Sequence, residues 1–396
     1  MAAALAAISA TLTYAIQARL YALHAFDEYD LFFDADSVAY LRIFTAGPTR
    51  LDPRHPALPL FGHVPVVAAS WLVGGAVPYP VLVLGLVAVI AALRTLLLFS
   101  VFRRVADRLL VAGLVCTVDI VAASTVTVGG IPESYVFSAA CVTAMFWLVA
   151  RERASPSSWL LVATIAIGVT VTNAIAVAVL AVTALRGQGV SLRRAGAIAV
   201  GLIGLALLID GAVAAGMAAY FDSPVLFADP VHRFVHRPRL NDAAELAWAI
   251  GHTLLAPAAT STPYASITHP QATFIFGYGP SFVHGWGSLW RAAATALLVG
   301  LGGWAAACHA RYRQLYAAGA LVTVANASLL LVYGRRYFLY TPHWEPALVV
   351  MVAGAALLPG RLRPLGTAAL AVFAVLTAAS TANILGDLFA YFAAVR

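Results

Sequence analysis

Long apolar runs recur along almost the whole chain, and they constrain its fold more than any other feature. A helix that crosses a bilayer needs about 20 mostly apolar residues. With 62% hydrophobic and only 10% charged residues, the chain lies far from a soluble domain, which carries about 25% charge. The sequence therefore predicts an all-α, polytopic transmembrane bundle that forms a single integral membrane domain over residues 1–396. The candidate spans are Ala3 to Leu23, Pro80 to Phe102, Leu109 to Val128, Ser134 to Ala150, Trp159 to Leu185, Ala195 to Tyr220, Ala292 to Ala310, Leu315 to Tyr333, Trp344 to Leu358 and Leu365 to Phe389.

The arginines predict which ends of these runs face the cytoplasm. All 24 basic residues are arginine, and twelve of them stand in short connections, a bias typical of cytoplasmic loops rather than of nucleic-acid binding. The acidic stretch from Asp27 to Asp36 then lies outside. These assignments of loops to the two sides of the membrane are compatible only under two conditions. Ala57 to Val77 must be an interfacial or re-entrant helix, and Trp159 to Leu185 must be a hairpin that turns at Thr172-Asn173. We therefore expect about eleven spans, with the N-terminus inside and the C-terminus outside.

Two large outward segments follow from this topology, 27–77 and 221–290. Loops of this length usually carry function. The first segment is expected to contain interfacial helices. In the second, Ala243 to Ala258 reads as an interfacial helix whose Leu246 and Leu254 face the bilayer.

The first outward segment contains the candidate catalytic carboxylates. Asp34 and Asp36 lie among aromatic and apolar residues, where a charge costs free energy unless it is used or paired. Either could act as a general base, with Asp36 preferred, and the Asp-x-Asp spacing would also allow a divalent metal. No other cofactor is indicated. Glu28 could line the same site, or it could belong to a solvated acidic rim.

Arg54 and His55 stand farther along this segment, directly before the interrupted apolar run. As cations or hydrogen-bond donors, they could bind a phosphate. The structural alternative is that Arg54 only pairs with Asp52.

A late outward connection contains the paired arginines Arg335 and Arg336, on the side where the charge bias disfavours them. This placement indicates an anionic ligand, for which arginine is well suited. Anchoring to lipid headgroups is the alternative. Tyr340 and His343 follow in the same connection and could line the site.

A tight Gly-Gly-x-Pro turn between two runs precedes Glu133 and Tyr135. Glu133 could line the site or simply cap the helix that follows it. Asp119 and Asp210 lie inside predicted spans, where an ionisable group is costly and is a functional candidate by default.

The order of these features resembles the C-type polytopic glycosyltransferases, the group that contains the protein O-mannosyltransferases and the lipid A aminoarabinose transferases. The segments that carry the resemblance are Asp34-Ala-Asp36-Ser37, Arg54-His55-Pro56, the turn from Gly168 to Asn173 and Arg335-Arg336-Tyr337. It covers roughly the first 190 residues in order, and the rest is similar only in hydropathy. The chain departs from the better-known members after His55-Pro56, where it has Ala-Leu instead of a second proline.

The resemblance implies a GT-C-like fold, a polyprenyl-phosphate sugar donor, an acidic first-loop residue as base, and inverting transfer on the outer face. A polyprenyl phosphate is already a good leaving group, so one base and a few arginines on the phosphate would suffice. The acceptor could be a glycan, a lipid or a protein, and the expected location is a bacterial plasma membrane. A lipid-linked saccharide transporter or flippase is the main alternative, and a polysaccharide polymerase or ligase is another.

Overall fold

A computed structural model describes residues 1–28, 37–49, 51–52, 54–106, 108–151, 154–222, 240–255, 261–265, 272–276, 286–333 and 337–394. These residues are almost entirely helical, as predicted. The helices are α1 (Ala2–Ala22), α2 (Ala25–Glu28), α3 (Ser37–Ala46), α4 (Leu58–Leu72), α5 (Tyr79–Ala106), α6 (Leu109–Val121), α7 (Ala123–Val126), α8 (Ser134–Ala150), α9 (Pro156–Val169), α10 (Ala174–Gly187), α11 (Leu192–Tyr220), α12 (Leu240–His252), α13 (Trp286–Cys308), α14 (Ala310–Leu330), α15 (Glu345–Ala353) and α16 (Leu362–Ala394).

Short 3-10 helices join several of these elements, at Val128–Gly130, Val171–Asn173, Tyr337–His343 and Gly354–Leu357. One small exception to the all-helical fold lies in the second long segment. There β1 (Ser261–Ala265) and β2 (Ala272–Phe276) pair antiparallel, with Ser261 opposite Phe276.

Four helices are long and apolar enough to cross a membrane within the described residues. They are Tyr79–Ala106, Leu192–Tyr220, Leu289–Cys308 and Leu362–Ala394. A fifth span results if α6 and the following Ala123–Gly130, which meet at a 52° bend, are counted together. Several long apolar helices of this kind are compatible with an integral membrane protein in a lipid bilayer.

The candidate span from Leu109 to Val128 is broken into two helices. The helix breaks at Ala122, whose ψ of 137° is extended. A new helix start leaves backbone N–H groups without partners inside the helix. Here Ala123 N–H donates to the Leu254 carbonyl at 3.1 Å and Ser124 N–H to the Thr253 carbonyl at 3.2 Å. The segment after α12 therefore stabilises the break.

This contact also corrects the expected orientation of the second-loop helix. Leu246 is only 5% exposed and Leu254 is fully buried, so both pack into the protein and do not face a bilayer. The helix also ends at His252, six residues before the predicted end. The Trp344 indole donates to the Thr253 hydroxyl at 3.0 Å and further fixes this segment.

The predicted turn at Thr172-Asn173 is confirmed as a helix break. Helix α9 ends at Val169, a 3-10 turn covers Val171–Asn173, and α10 begins at Ala174. Both helices pack against α8 and α11.

The interrupted run before α5 forms α4, with 15 residues and an internal Pro65. Such a helix is about 22 Å long, less than the roughly 30 Å of a hydrocarbon core.

Candidate functional site

The segment that contains Arg54 and His55 docks on the turn between α9 and α10. Ala57 N–H donates to the Gly168 carbonyl at 2.8 Å, and Val171 N–H donates to the Arg54 carbonyl at 3.0 Å. The His55 ring adds a third hydrogen bond from Nδ1 to the Val169 carbonyl at 2.7 Å. Because a carbonyl only accepts, this bond places a proton on Nδ1 of His55. Two segments more than 100 residues apart are thus held together.

Burial lowers the pKa of His55, although Asp52 and the Val169 carbonyl oppose this effect. The ring is therefore neutral near pH 7, with Nδ1 as donor and Nε2 as acceptor. An edge-on contact with Tyr40, 5.8 Å between ring centroids, fixes its plane from the side of α3.

Arg54 forms the ion pair with Asp52 that the structural alternative predicts. Its Nε lies 3.0 and 2.9 Å from the two carboxylate oxygens, and Nη2 lies 2.5 Å from Oδ2. Burial alone would raise the pKa of Asp52, but the hydrogen bonds and charge of Arg54 outweigh this and lower it. The side chains are 34% and 35% exposed, so the pair remains accessible to a ligand. Arg54 also interacts electrostatically with the Tyr333 hydroxyl.

A buried polar cluster of Ser138, Asn173 and His343 lies at the other side of the turn. The Ser138 hydroxyl donates to Asn173 Oδ1 at 2.8 Å, and His343 Nδ1 lies 2.9 Å from the hydroxyl and 3.2 Å from the amide oxygen. Asn173 Nδ2 donates to the Ala166 carbonyl at 2.9 Å, which orients the amide. Burial, with a smaller contribution from nearby His55, lowers the pKa of His343 to about 4.

Two tyrosine rings cover this polar cluster. Tyr340 stacks on His343 with centroids 6.2 Å apart, and Tyr135 meets both rings edge-on at 6.2 and 5.9 Å. The expected site-lining residues Tyr135, Tyr340 and His343 thus lie together. Aromatic faces of this kind pack well against the apolar face of a sugar ring or a prenyl chain.

Glu133 caps helix α8, one of the two roles that the sequence left open for it. Its Oε1 accepts from the Ser134 backbone N–H and hydroxyl, both at 2.9 Å, and the residue is only 2% exposed.

The predicted candidates Asp34, Asp36, Arg335 and Arg336 lie outside the described residues, as does the side chain of Glu28. No cluster of three His, Cys, Asp or Glu side chains in the described ranges could hold a metal, and the Asp34-x-Asp36 hypothesis is not tested there.

A buried charge cluster was missed in part by sequence reasoning. Asp119 was singled out, but its partner Arg94 was not, nor was Glu345. Arg94 bonds Asp119 and also Glu345 Oε1, the latter at 2.9 Å, and Thr125 hydrogen-bonds the same oxygen. The signal was present, because Arg94 is an ionisable residue within an apolar run. The ion pair with Arg94 therefore accounts for the presence of a carboxylate at the buried position of Asp119.

Asp210 lies directly against the turn that holds His55. It is 2% exposed, and neither carboxylate oxygen has a hydrogen-bond partner among the described residues. A Cβ on Gly168 would lie 2.6 Å from its Oδ1 and 2.8 Å from the Ala57 Cβ. Glycine is therefore required where α9, α11 and the docked segment meet.

No protein-family model, curated protein or solved structure matches this chain significantly.

Proposed function

We propose that this protein transfers a sugar from a polyprenyl-phosphate donor to an acceptor on the extracytoplasmic face of a membrane, with inversion. The proposal includes a GT-C-like bundle of about eleven spans in a bacterial plasma membrane. The acceptor is a glycan, a lipid or a protein.

One observation supports it most. Two of the four segments that carry the resemblance, Arg54-His55-Pro56 and the turn from Gly168 to Asn173, are joined by two hydrogen bonds, and Ala57, the next residue, adds a third. The expected site-lining residues Tyr135, Tyr340 and His343 gather at the same turn through Asn173.

The two remaining segments adjoin, in the sequence, residues that contact Arg54 or His55. Asp36 immediately precedes Ser37, the buried first residue of α3, whose Tyr40 contacts His55. Arg335 follows Tyr333 by two residues in the sequence, and Tyr333 interacts electrostatically with Arg54. The proposal therefore assigns the base and the phosphate ligands to a single site.

The proposed chemistry divides between these groups. Asp36, or Asp34 in its place, removes a proton from the acceptor hydroxyl as the new glycosidic bond forms. The bond between the anomeric carbon and the phosphate oxygen breaks, and the polyprenyl phosphate leaves with its electron pair. Arg54, Arg335 and Arg336 stabilise the negative charge that develops on it. A glycosidase would need an additional acid for its poorer leaving group.

The test is a donor-consumption assay on purified protein. A panel of pentose and hexose polyprenyl phosphates is incubated with the protein and a membrane extract as the acceptor source, and donor loss is followed. Asp36→Asn keeps the shape of the side chain but removes the proton acceptor, so turnover should fall by about a hundredfold or more while donor binding persists. If Asp34→Asn and Asp36→Asn both remain active, the base lies elsewhere.

The transporter alternative has two supporting observations, the buried Asp210 with no hydrogen-bond partner among the described residues and the helix break at Asn173. Its other support weakens, because Asp119 is paired with Arg94. The two functions differ in sealed proteoliposomes, where a transporter moves the labelled donor between leaflets without consuming it. A polymerase or ligase would consume the donor and yield products of increasing or already polymeric length.

A further inference from the structure

Two histidine rings at the candidate site each have one ring nitrogen that the protein does not use. In the neutral ring of His55, Nδ1–H donates to the Val169 carbonyl at 2.7 Å, so Nε2 carries a lone pair and can only accept. The residue is partly exposed, and no described residue hydrogen-bonds its Nε2. A hydrogen-bond acceptor is therefore available next to Arg54, the preceding residue in the chain.

The hydrogen bonds of His343 fix the same tautomer. Asn173 Nδ2 donates to the Ala166 carbonyl, so Oδ1 is the amide atom that faces the histidine ring. The Ser138 hydroxyl donates its single proton to this oxygen at 2.8 Å. His343 Nδ1 then meets two lone pairs, on the hydroxyl at 2.9 Å and on the amide oxygen at 3.2 Å, and must carry a proton itself. Its Nε2 is left as an acceptor that no described residue hydrogen-bonds.

The two rings interact with each other and have similar surroundings. Their electrostatic interaction contributes to the lowered pKa of His343. Tyr40 meets the His55 ring edge-on, and Tyr340 stacks on the His343 ring. Burial lowers the pKa of both histidines and keeps them neutral near pH 7. Each ring therefore offers an acceptor nitrogen without adding a positive charge.

Neutral acceptor nitrogens favour a ligand group different from the one that arginine binds. The phosphodiester of the proposed donor has only acceptor oxygens near pH 7, and these would repel a lone pair on Nε2. A sugar hydroxyl has a proton to donate. It also stands on a ring whose apolar face packs well against aromatic side chains. The tautomers therefore favour a hydroxyl over a phosphate as the partner of both histidines.

We propose that Nε2 of His55 and Nε2 of His343 accept hydrogen bonds from hydroxyl groups of the donor's sugar. This assignment rests on the proposed function and refines it, since His55 then binds the sugar instead of the phosphate. The phosphate is bonded directly to the anomeric carbon, so a phosphate on Arg54 brings the sugar close to the adjacent His55. A site that hydrogen-bonds a hydroxyl discriminates strongly against the analogue that lacks it. The pair therefore selects fully hydroxylated sugars over their deoxy forms.

The experiment compares two ligands of the purified full-length protein in detergent by calorimetry. One is the tightest binder from a panel of hexose and pentose polyprenyl phosphates, and the other is polyprenyl phosphate without a sugar. Asparagine keeps an N–H donor at the position of Nδ1 but has no atom at Nε2. His55→Asn and His343→Asn should therefore each weaken binding of the sugar-linked donor by about twofold to tenfold. Their affinity for the plain polyprenyl phosphate should equal that of the native protein.

His24→Asn is the matched control, because it removes an imidazole from an exposed position outside this cluster. It should leave both affinities unchanged. Equal weakening of both ligands by His55→Asn and His343→Asn would show a purely structural role and would overturn the proposal. Native affinity for the sugar-linked donor in both variants would overturn it as well.

Donor consumption, followed on the same samples, separates this proposal from the transfer function. If the donor is consumed but both histidine variants bind it as the native protein does, transfer stands and the role of the histidines is wrong. If its binding depends on both histidines but it is not consumed, the role of the histidines stands and transfer is wrong. If no sugar-linked donor binds, both are wrong.

Discussion

The ion pair between Asp52 and Arg54 permits two roles for the arginine, which a small set of variants separates. If Arg54 binds the donor phosphate, Arg54→Gln should weaken donor binding by about tenfold to a hundredfold. Asp52→Asn should then leave the affinity equal or tighter, because the lowered pKa of Asp52 means that it carries a negative charge near the phosphate. Donor affinity is measured by titration with a polyprenyl phosphate in detergent.

The double variant Asp52→Asn with Arg54→Gln decides between the roles. If the arginine only neutralises Asp52, removing both members of the pair should restore the affinity of the native protein. If Arg54 binds phosphate, the double variant should remain as weak as Arg54→Gln. Recovery of wild-type affinity in the double variant would remove Arg54 from the proposed site.

His343 should make the stability of the protein depend on pH in a defined window. Its pKa is about 4 in the folded protein, below the ordinary value of 6.5. Between these values the unfolded chain binds a proton that the folded chain does not, so stability is fully present above pH 6.5 and decreases as the pH falls towards 4. From pH 6.5 to about pH 5 the loss is roughly 2 kcal/mol in the free energy of unfolding.

Thermal unfolding midpoints at about pH 7 and about pH 5 measure this loss. His343→Gln should show a smaller difference between the two midpoints than the native protein does. His24→Gln, at an exposed position after α1, is the control and should keep the native pH dependence. An unchanged pH dependence in His343→Gln would show that this histidine is not the titrating group.

At the scale of the helices, the close approach at Gly168 connects the fold to the candidate site. Gly168→Ala would place a methyl group 2.6 Å from Asp210 Oδ1 and 2.8 Å from the Ala57 Cβ. Relief requires the docked segment or α11 to shift, and forced shifts of this kind typically cost 1–3 kcal/mol. The variant should therefore unfold at lower temperature and lose donor affinity as Arg54 and His55 move.

The chain offers a matched control for this substitution. Gly201 lies in α11 with no heavy atom within 4 Å of an added Cβ. Gly201→Ala should be neutral or slightly stabilising, because alanine is favoured over glycine in a helix by about 1 kcal/mol. Equal stability of Gly168→Ala and the native protein would contradict the packing described at this turn.

The elements that the sequence predicted best are those whose ends are set locally. Helix α8 has the predicted bounds, Ser134 to Ala150, because Glu133 caps its start. The turn at Thr172-Asn173 was also predicted, because arginines at both ends of the run from Trp159 to Leu185 favour the same side of the membrane. The break at Ala122 was missed because the run around it is uniformly apolar. The break is stabilised by tertiary hydrogen bonds to carbonyl groups about 130 residues away in the sequence.

The candidate site likewise combines residues that the local sequence identifies with contacts that only the tertiary fold creates. Arg54, His55 and His343 could be named from residue type and position, but their partners could not. Ser138 is one small polar residue within an apolar run, and only the fold brings it next to His343. Glu345 was read as part of an apolar run, because pairing with Arg94, 251 residues away, leaves no local pattern.

At the scale of the whole molecule, two ends with different chemistry are separated by the length of α11. This helix has 29 residues, or about 44 Å. At its C-terminal end, the Phe221 ring lies 5.4 Å from the His63 ring of α4, so that end adjoins the first long segment. Its N-terminal end follows α10 after a short connection, and the end of α10 lies near Gln314 of α14, whose amide donates to the Thr183 carbonyl at 3.0 Å. The proposed transfer site, which meets α11 at Asp210, therefore lies in the C-terminal half of this helix.

This separation gives a direct test of orientation. Single cysteines are introduced at exposed positions of both ends, Thr49→Cys and Asp222→Cys at one and Ser157→Cys at the other. The three native cysteines are first replaced by alanine, because Cys308 is exposed. An impermeant thiol reagent is then added to intact cells. Since short arginine-rich loops stay in the cytoplasm, Thr49→Cys and Asp222→Cys should react, and Ser157→Cys should react only after permeabilisation. The reverse pattern would place the Arg54 and His55 site inside the cell, and it would exclude transfer on the outer face while leaving the helix packing intact.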